Sequence, residues 1–349
     1  MTPTVVDVVA LGESMVTFLP TRPGRLADVP SFERGIGGAE SNVACVLAAA
    51  GHTVRWVGRV GADGFGDHLV EAIAAYGVDT SAVRRDSARP TGVYFRTAGD
   101  RGTDAHEVAY YRAGSAASAM AADTMDLDAV RAGRVLHLSG ITAALSEDCL
   151  ALMRELTARR PGRPLVSFDV NHRAHLWHHQ EPDRVLLDLA RGSDLVFVGE
   201  DEAETAWGLT GGPAAIRAAL PEPRALVVKQ GSKGATLFEC DSEGGSVTFV
   251  PALHVDVVAP VGAGDAFAAG FLSATLRALP ARDRLRHGHL MAAAALTAPG
   301  DLAAPPSRHH ADRLAALDDD AWETLRLGPG WTEAVDQAVD RAEEEVRTP

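Results

Sequence analysis

The segment APVGAGDAFAAGF, residues 259–271, has an unusual order of side chains. Gly262, Ala263 and Gly264 have little or no side chain, the acid Asp265 follows them directly, and small apolar residues come next. This order predicts the start of a helix whose first backbone N–H groups are uncovered. Because those groups and the positive end of the helix dipole favour an anion, we expect a phosphate to bind here.

Asp265 lies within reach of whatever binds at that helix start. A carboxylate in this position can accept a proton from an alcohol as the alcohol attacks a phosphorus centre. An aspartate at a helix start is also a common cap, worth about 1 kcal/mol of stability. The spacing alone supports both interpretations.

The composition favours a small-molecule ligand over a polyanionic partner. The chain has 349 residues, a formal net charge of −14 and a pI near 5.3. Nucleic acid and anionic membranes require a basic surface, so neither partner is expected. The amino terminus lacks the pattern of a signal peptide, and no apolar run is long enough to span a bilayer. Three scattered cysteines, Cys45, Cys149 and Cys240, predict reduced thiols and a cytoplasmic protein.

Short β-rich runs alternate with alanine-rich helical runs through most of the chain, as in VVDVVALG (5–12) followed by ESNVACVLAAAG (40–51). Apolar strands separated by helices predict a mainly parallel sheet covered on both faces, the doubly wound α/β fold. Two segments, about 13–36 and 89–113, are turn-rich with alternating patterns. They are either ordinary insertions or the strands of a small β lid over a pocket.

The sequence becomes charged and helix-favouring from about residue 306. We therefore expect one domain over residues 1–305 and a peripheral C-terminal helical extension over residues 306–349. No internal repeat or low-complexity tract divides the chain further.

The segment VVKQGSKG (227–234) follows an apolar strand pattern and holds the only two lysines of the chain. Glycines let the main chain approach a nucleotide, and lysine neutralises phosphate as a point charge. A solvent-exposed β-turn is the alternative. The residues predicted to bind a nucleotide here are Lys229, Gly231, Ser232, Lys233 and Gly234.

The segment GIGGAESNVA (35–44) places Gly37 and Gly38 before a helix and Asn42 one turn into it. Glycine permits close approach of a polyol, and the Asn side chain can both donate to and accept from its hydroxyl groups. Glycine before a helix is also ordinary punctuation, so this motif by itself is weak evidence for a sugar site. The sequence contains no P-loop pattern and no dinucleotide-binding pattern after its first strand.

Four histidines in NHRAHLWHH (171–179) have spacings that suit a metal ion: His172, His175, His178 and His179. No cysteine or acidic cluster accompanies them, and the segment is predicted to be a loop after a strand. The pattern therefore gives little support to a metal site.

Together these motifs resemble the ribokinase-like (PfkB) family of carbohydrate kinases, over nearly the whole chain to about residue 305. GGAESNVA followed by GRVGADGFG is similar to the family's first signature, and GAGDAFAAGF is similar to its second. The resemblance implies a ribokinase-like fold, ATP as phosphoryl donor and Mg²⁺ as metal. It also implies that Asp265 is the catalytic base and that the backbone of Gly262, Ala263 and Gly264 binds the transferred phosphoryl group.

Four segments, GGAESNVA, YYRAGSAAS, HLSGIT and FDVNHRAHLW, look most like 2-keto-3-deoxygluconate kinases, with His172 in place of a common tyrosine. The implied substrate is an acidic keto sugar, with Arg112 and Arg173 on its carboxylate and Tyr94 and Tyr110 in the sugar pocket. The planar fork of arginine matches a carboxylate. If both guanidinium groups are desolvated, neutral hexoses should be rejected roughly a thousandfold. Without the resemblance, each arginine would be interpreted as a surface residue.

The resemblance also assigns residues to the nucleotide and the metal. Asn171 and Arg173 join the segment around Lys229, together with Gly262 and Gly264, as implied ATP contacts. Glu202 would orient water on Mg²⁺, although an exposed acid at a helix start is an equal alternative. Gly199 replaces a frequent asparagine near that site, and Ala259 replaces an aspartate that helps to hold a monovalent cation in some relatives. The second replacement argues against activation by such a cation.

Two alternatives stay open at this point. Within the same fold, the chain is a kinase for a neutral sugar such as fructose, or for 5-dehydro-2-deoxygluconate. In a different class, it is a catalytically silent sensor of a sugar or a nucleotide. Exposed lid strand edges often pair, so a homodimer or higher homo-oligomer through the lid is expected.

Overall fold

The computed structural model describes residues 4–97, 107–177, 182–241 and 244–333, and these ranges contain sixteen β-strands and twelve α-helices. The strands are β1 (Val6–Leu11), β2 (Met15–Pro20), β3 (Phe32–Gly37), β4 (Val54–Val57), β5 (Arg59–Gly61), β6 (Arg84–Asp86), β7 (Val93–Arg96), β8 (Val108–Tyr111), β9 (Gly133–Ser139), β10 (Leu165–Asp169), β11 (Leu195–Gly199), β12 (Ala225–Lys229), β13 (Gly234–Asp241), β14 (Gly244–Pro251), β15 (His254–Val255) and β16 (Arg326–Leu327).

The helices are α1 (Ala39–Ala49), α2 (Gly64–Ala75), α3 (Leu127–Arg131), α4 (Gly140–Ala143), α5 (Glu147–Thr157), α6 (Pro182–Gly192), α7 (Glu200–Trp207), α8 (Gly212–Ala219), α9 (Ala263–Leu276), α10 (Ala281–Leu296), α11 (Arg308–Ala315) and α12 (Asp319–Thr324). Short 3₁₀ turns occur at Ala116–Ala119, Ala174–Leu176 and Gly231–Lys233.

The central sheet has eight strands in the order β14-β13-β12-β11-β10-β9-β1-β4. Strands β4, β1 and β9 to β12 pair in parallel, and the β13-β14 hairpin adds two antiparallel strands at one edge. The parallel strands are buried on both faces, which explains why they are rich in Val and Leu. The strand order reverses between β1 and β9. In sheets of this kind, ligands bind beside the carboxyl ends of the strands at such a reversal.

Two hydrophobic clusters cover the two faces of this sheet. One is built on Trp56 and Phe197 with residues of α1, α2, α9 and α10, and the other on Leu136 and Phe168 with residues of α5 to α8. This arrangement confirms the predicted doubly wound α/β fold. None of the described helices is both long and apolar enough to cross a bilayer.

Helix α9, which carries the segment at residues 259–271, is buried along nearly its whole length. Its small residues allow neighbouring helices to approach closely. A Cβ atom at Gly270 would lie 2.3 Å from the carbonyl oxygen of His287 in α10, so only glycine fits there. The alanines and glycines that follow Asp265 are therefore explained by helix packing.

Strands β3, β2, β7 and β8 form a separate four-stranded sheet, which we call the lid sheet. It draws its strands from the two turn-rich segments, as the alternating patterns suggest, and Phe18 of β2 stacks on Phe95 of β7 with ring centroids 4.7 Å apart. The central strands β2 and β7 are parallel, so two antiparallel hairpins meet along them. Residues 98–106 lie outside the described ranges.

The chain beyond residue 306 differs from the expectation of a peripheral extension. Trp322 of α12 is fully buried and Trp331 is 8% exposed, and both belong to the core cluster of α9 and α10. The guanidinium of the buried Arg286 in α10 lies 4.5 Å from the Trp322 ring centroid and donates to the carbonyl of Ala315 at 2.9 Å. The buried tryptophans thus attach this charged segment to the core. Strand β16 also pairs with β15. Residues 334–349 lie outside the described ranges.

All three cysteines are free, as the sequence predicts. Cys45 and Cys149 are buried, and Cys240 is exposed. Burial raises the pKa of the Cys149 thiol to about 11, so this buried residue stays a neutral, unreactive thiol.

Candidate active site

A cavity of about 440 Å³ is lined by the carboxyl ends of the central strands, the start of α9 and the lid sheet. It collects most of the residues that the sequence predicts for the site. Those that line it are Gly38, Asn42, Tyr94, Tyr110, Arg112, Asn171, Arg173, Glu202, Lys229, Gly262, Ala263, Gly264 and Asp265.

Asp265 lies in the first turn of α9 and accepts a 2.9 Å hydrogen bond from the side-chain amide of Asn42 in α1. Burial raises the pKa of the Asp265 carboxyl to about 7, and the negative charge of Asp169 adds to this effect, while Asn42 opposes it. A carboxyl that titrates near neutral pH suits a general base, since it can both accept and release a proton. The helix does not use Asp265 as its cap, because that position belongs to Gly262.

Gly262 adopts a left-handed conformation with φ +77°, and a Cβ atom there would lie 2.2 Å from the carbonyl oxygen of Asp301. Any other residue would therefore be strained and would clash. Gly264 faces open space, because a Cβ atom there would meet only the Lys229 Nζ, at 3.6 Å. The uncovered first turn of α9 can thus receive an anionic group beside Asp265.

The carboxyl ends of β10, β11 and β12 bring opposite charges together. Lys229 donates to both carboxylate oxygens of Asp169, at 3.1 and 3.2 Å. Burial disfavours the Lys229 charge, but Asp169 and Glu202 outweigh it and hold the pKa of Lys229 above its ordinary value. Lys229 is therefore a permanent cation at the floor of the cavity.

Asn171 has a backbone φ of +42°, which is uncommon for a residue with a side chain. It is 5% exposed, and its side-chain oxygen has no hydrogen-bond partner. A buried amide oxygen without a partner costs free energy unless a ligand satisfies it. The strain and the unsatisfied oxygen together make Asn171 a candidate ligand contact.

Glu202 lies in the first turn of α7 and accepts a 2.7 Å hydrogen bond from the backbone N–H of Gly199 through one carboxylate oxygen. Its other oxygen lies 3.7 Å from Arg173. Burial raises the pKa of Glu202. Its carboxylate and the unsatisfied Asn171 oxygen line the same cavity, and such a set fits Mg²⁺, which prefers oxygen ligands and keeps several waters.

The lid contributes a buried polar network to the lining of the cavity. The Tyr94 hydroxyl donates to Asp301, and Arg96 donates to the other oxygen of the same carboxylate at 2.8 Å. A Cβ atom at Gly37 would fall 2.3 Å from the Tyr94 hydroxyl, so glycine is required at that position. Gly37 therefore shapes the network without lining the cavity itself, whereas Gly38 lines it.

The two arginines predicted to bind a carboxylate differ from expectation in their surroundings. Arg112 lines the cavity, but it already forms an ion pair with Glu13, which is 1% exposed in its side chain. The side chain of Arg173 is 48% exposed and donates at 3.1 Å to the carbonyl of His172. Arg112 is paired with Glu13, although its Nε is buried without a hydrogen-bond partner, and Arg173 is half exposed. The thousandfold rejection of neutral sugars required two desolvated guanidinium groups free for the sugar carboxylate, so it no longer follows.

Tyr110 of the lid stacks on His175, with ring centroids 5.3 Å apart and an angle of 19° between the rings. His175 comes from the 3₁₀ turn after β10, so this contact joins the lid to the central sheet across the cavity. The metal interpretation gains nothing from His175, since the described residues contain no group of three or more metal-ligating side chains. His178 and His179 lie outside the described ranges.

The turn after β12 does not reach the cavity. Gly231, Ser232 and Lys233 are exposed, and Lys233 lies 3.9 Å from Glu200. Gly234 is needed for packing, because a Cβ atom there would lie 2.3 Å from the carbonyl oxygen of Val250. Of the five residues predicted to bind a nucleotide in this segment, only Lys229 lines the cavity.

Two acids of the cavity, Asp169 and Asp301, are absent from the sequence-based prediction. Asp169 ends an apolar strand in the segment VSFDVN, and an acid at that position is a signal that sequence reasoning can use. Asp301 follows α10 in a turn rich in Gly, Ala and Pro, where nothing distinguishes it from a surface acid. Only the fold reveals that it meets the lid.

The model of the pfkB family of carbohydrate kinases matches residues 6–308. The chain belongs to this family. It is therefore an ATP-dependent sugar kinase with a ribokinase-like fold.

Three relatives show how far the similarity extends. The chain is 35% identical over 325 residues to a 2-dehydro-3-deoxygluconokinase of Bacillus subtilis (strain 168), covering 89% of this chain and 95% of that protein. It is 32% identical over 270 residues to fructokinase-1 of Zea mays, covering 76% and 81% respectively. A solved PfkB protein from Polaromonas sp. JS666 has a TM-score of 0.76 at 34% identity and covers 88% of this chain and 99% of that one.

Proposed function

We propose that this kinase transfers a phosphoryl group from ATP to the primary hydroxyl of a sugar acid, with 2-keto-3-deoxygluconate (2-dehydro-3-deoxygluconate) as substrate and its 6-phosphate as product. The observation that carries the proposal is the presence of Asp265 and the half-exposed Arg173 in one cavity. A base acts on the hydroxyl, and a guanidinium is available for the acid group. The similarity to the Bacillus subtilis 2-dehydro-3-deoxygluconokinase supports the same substrate.

In this mechanism Asp265 accepts the proton of the attacking hydroxyl. The Asn42 amide orients the carboxylate by its 2.9 Å hydrogen bond. The uncovered N–H groups of Gly262, Ala263 and Gly264 stabilise the charge that spreads over the transferred phosphoryl group. Lys229 supplies a fixed positive charge beside the same turn, since it lies close to Gly264.

The nucleotide would lie at the carboxyl ends of β10 to β12, with Asn171 and Lys229 near its phosphates, and in this proposal Arg173 serves the sugar carboxylate and not the nucleotide. When bound, Mg²⁺ would neutralise phosphate charge, and Glu202 with Asn171 would hold it. Four residues do not line the cavity and would contact only a part of the nucleotide that extends beyond it: Gly231, Ser232, Lys233 and Gly234. Because Ala259 stands where some relatives have a cation-binding aspartate, the proposal does not include activation by a monovalent cation.

The lid sheet would exclude water from the reacting groups and so limit wasteful hydrolysis of ATP. Among the described residues its outer strands β3 and β8 have one unpaired edge each, and Tyr111 of β8 is 66% exposed. Pairing of these edges would give a homodimer, which analytical ultracentrifugation of wild type and a Tyr111→Lys variant tests. We place the enzyme in the cytoplasm because its three thiols are free.

A neutral-sugar kinase is the second candidate, and one observation favours it. Arg112 is already neutralised by Glu13, so the cavity offers a sugar less positive charge than the sequence suggests. Fructokinase-1 of Zea mays also aligns over 76% of the chain. 5-Dehydro-2-deoxygluconate stays a third possible substrate.

A coupled assay of kcat/KM with each sugar separates these candidates. Preference for 2-keto-3-deoxygluconate, together with a loss of about tenfold or more in Arg173→Gln for the acid alone, supports the proposal. Preference for fructose, with no effect of Arg173→Gln, contradicts it. Arg34→Gln, an exposed arginine outside the cavity, is the matched control.

Turnover of ATP in wild type and in Asp265→Asn tests the role proposed for Asp265. The proposal predicts product in wild type and almost none in the variant. If the variant keeps the turnover of wild type, Asp265 is not the base.

A further inference from the structure

A second and larger cavity, of about 760 Å³, lies at the opposite end of the central sheet. It is lined by the amino-terminal ends of β10, β11 and β12, by the end of β13 and by the C-terminal part of α9. It shares no lining residue with the candidate active site. Since β10 rises about 3.3 Å per residue, its two ends, one at each cavity, are about 13 Å apart.

Positive charge dominates this second cavity, which we call the arginine cavity. Five arginines and two carboxylates line it, in a chain with a net charge of −14. The arginines come from two sides: three from the segment before β10 and the others from the start of β12 and from α10. They are Arg159, Arg160, Arg163, Arg224 and Arg284.

The nearby carboxylates do not neutralise all five guanidinium groups. Arg163 pairs with Asp194 at 3.0 Å and Arg284 with Glu239 at 2.8 Å, yet Arg163 Nη1 and Arg284 Nε are buried without a hydrogen-bond partner. The exposed Arg224 side chain makes no hydrogen bond or ion pair with any described residue. Arg159 and Arg160 are about half exposed and donate to backbone carbonyls and to Glu155.

Arg163 lies in a partly buried space close to a second positive charge, that of Arg159. Burial lowers the pKa of its guanidinium, Asp194 opposes this, and the nearby Arg159 lowers it further. Like charges held together in a partly buried space are stabilised when an anion lies between them. Guanidinium groups bind phosphate oxygens by two parallel hydrogen bonds, which a single surface lysine cannot do.

We propose that the arginine cavity binds a small phosphorylated molecule that carries more than one anionic oxygen group. The two-sided placement of the guanidinium groups fits a ligand that presents anionic oxygens on both sides. A macromolecular polyanion does not fit, because the cavity is confined and the chain as a whole is strongly acidic. The proposal stands apart from the proposed sugar, since it uses none of the same residues.

Helix α9 gives an occupant of this cavity a physical connection to the active site. Phe271 and Thr275 of α9 line the arginine cavity, while the first turn of the same helix carries Asp265. Strands β10 and β12 also connect the two ends, because they finish at Asp169 and Lys229. Binding is the claim under test, and any effect on turnover would pass through these elements.

Cys240 provides a local probe of occupancy. It lines the arginine cavity, it is exposed, and the other two cysteines are buried. The test measures the rate at which neutral iodoacetamide alkylates Cys240 in the full-length enzyme, as inorganic pyrophosphate is added at constant ionic strength. Pyrophosphate in the active site would not shield this thiol, so protection reports the arginine cavity alone.

We expect pyrophosphate to slow the alkylation of wild type about fivefold or more. Arg224→Ala removes an exposed side chain without disturbing the fold. We expect it to raise the pyrophosphate concentration that gives half-maximal protection by about tenfold. Arg284→Gln should weaken it as well. Arg134→Ala, an exposed arginine outside the cavity, should keep the wild-type response. Equal protection in wild type and Arg224→Ala, or none at 10 mM pyrophosphate, would overturn the proposal.

Discussion

The side-chain amide of Asn42 donates a 2.9 Å hydrogen bond to the carboxylate of Asp265, although 223 positions of sequence separate the two residues. The bond joins the first turns of α1 and α9, which carry the two glycine-rich signatures. It orients the carboxylate and partly offsets the rise in its pKa that burial causes. The chemistry of the site therefore depends on packing between two helices that are distant in the chain.

The pH dependence of turnover should report Asp265. Its pKa is raised to about 7, and only the ionised carboxylate can accept a proton, so kcat/KM should fall as the pH drops below about 7. Asn42→Ala removes a hydrogen bond that stabilises the ionised form, so the acid limb should move to higher pH. Arg134→Ala should keep the wild-type profile. An unchanged acid limb in Asn42→Ala would contradict the assignment.

Asp265→Asn should lower kcat by about a thousandfold or more, while stability rises. The carboxyl ionises near 3.8 when unfolded and near 7 when folded, so wild-type stability falls between these pH values and stays reduced above pH 7. The variant should therefore gain stability at pH 8, by about 2 kcal/mol after allowing for solvent screening, and gain little at pH 4. Denaturant unfolding at both pH values measures this. A larger gain in unfolding free energy at pH 4 than at pH 8 would contradict the raised pKa of Asp265.

Gly262 and Gly264 should separate structure from catalysis. Gly262→Ala forces a left-handed conformation and a clash with the Asp301 carbonyl, so it should destabilise the fold by about 3 kcal/mol. Gly264→Ala has room and replaces glycine within a helix, so the melting temperature should stay level or rise. Its methyl group would cover part of the anion site, so kcat should drop. A stable, fully active Gly264→Ala would remove that turn from the mechanism.

The stacking of Tyr110 on His175 should affect substrate binding more than the chemical step. An aromatic pair of this kind contributes about 0.5–1.5 kcal/mol, so His175→Ala should raise the sugar KM about two- to tenfold with little change in kcat. Glu33→Ala changes an exposed residue of lid strand β3 and serves as control. If Glu33→Ala has the larger effect on KM, the lid contact is misassigned.

The sequence predicts the parts of this enzyme that depend on local patterns. Buried strands, the lid strands and the start of α9 all follow from periodicity and from residues such as Gly262. What escapes prediction depends on pairings between distant segments. The Glu13 partner of Arg112 is one example, because a buried cation must find a counterion and nothing local names it. Asp301 and the turn at Gly231 are further examples, since burial there is decided by how segments pack.

The two tryptophans near the end of the described chain have a practical consequence. The family match stops at residue 308, and a protein shortened there would lose the aromatic ring that covers Arg286. It would also lose the strand that pairs with β15, a few positions ahead of the glycine-rich turn. The C-terminal segment thus supports the catalytic helix α9, and a truncation at the end of the family match would remove that support.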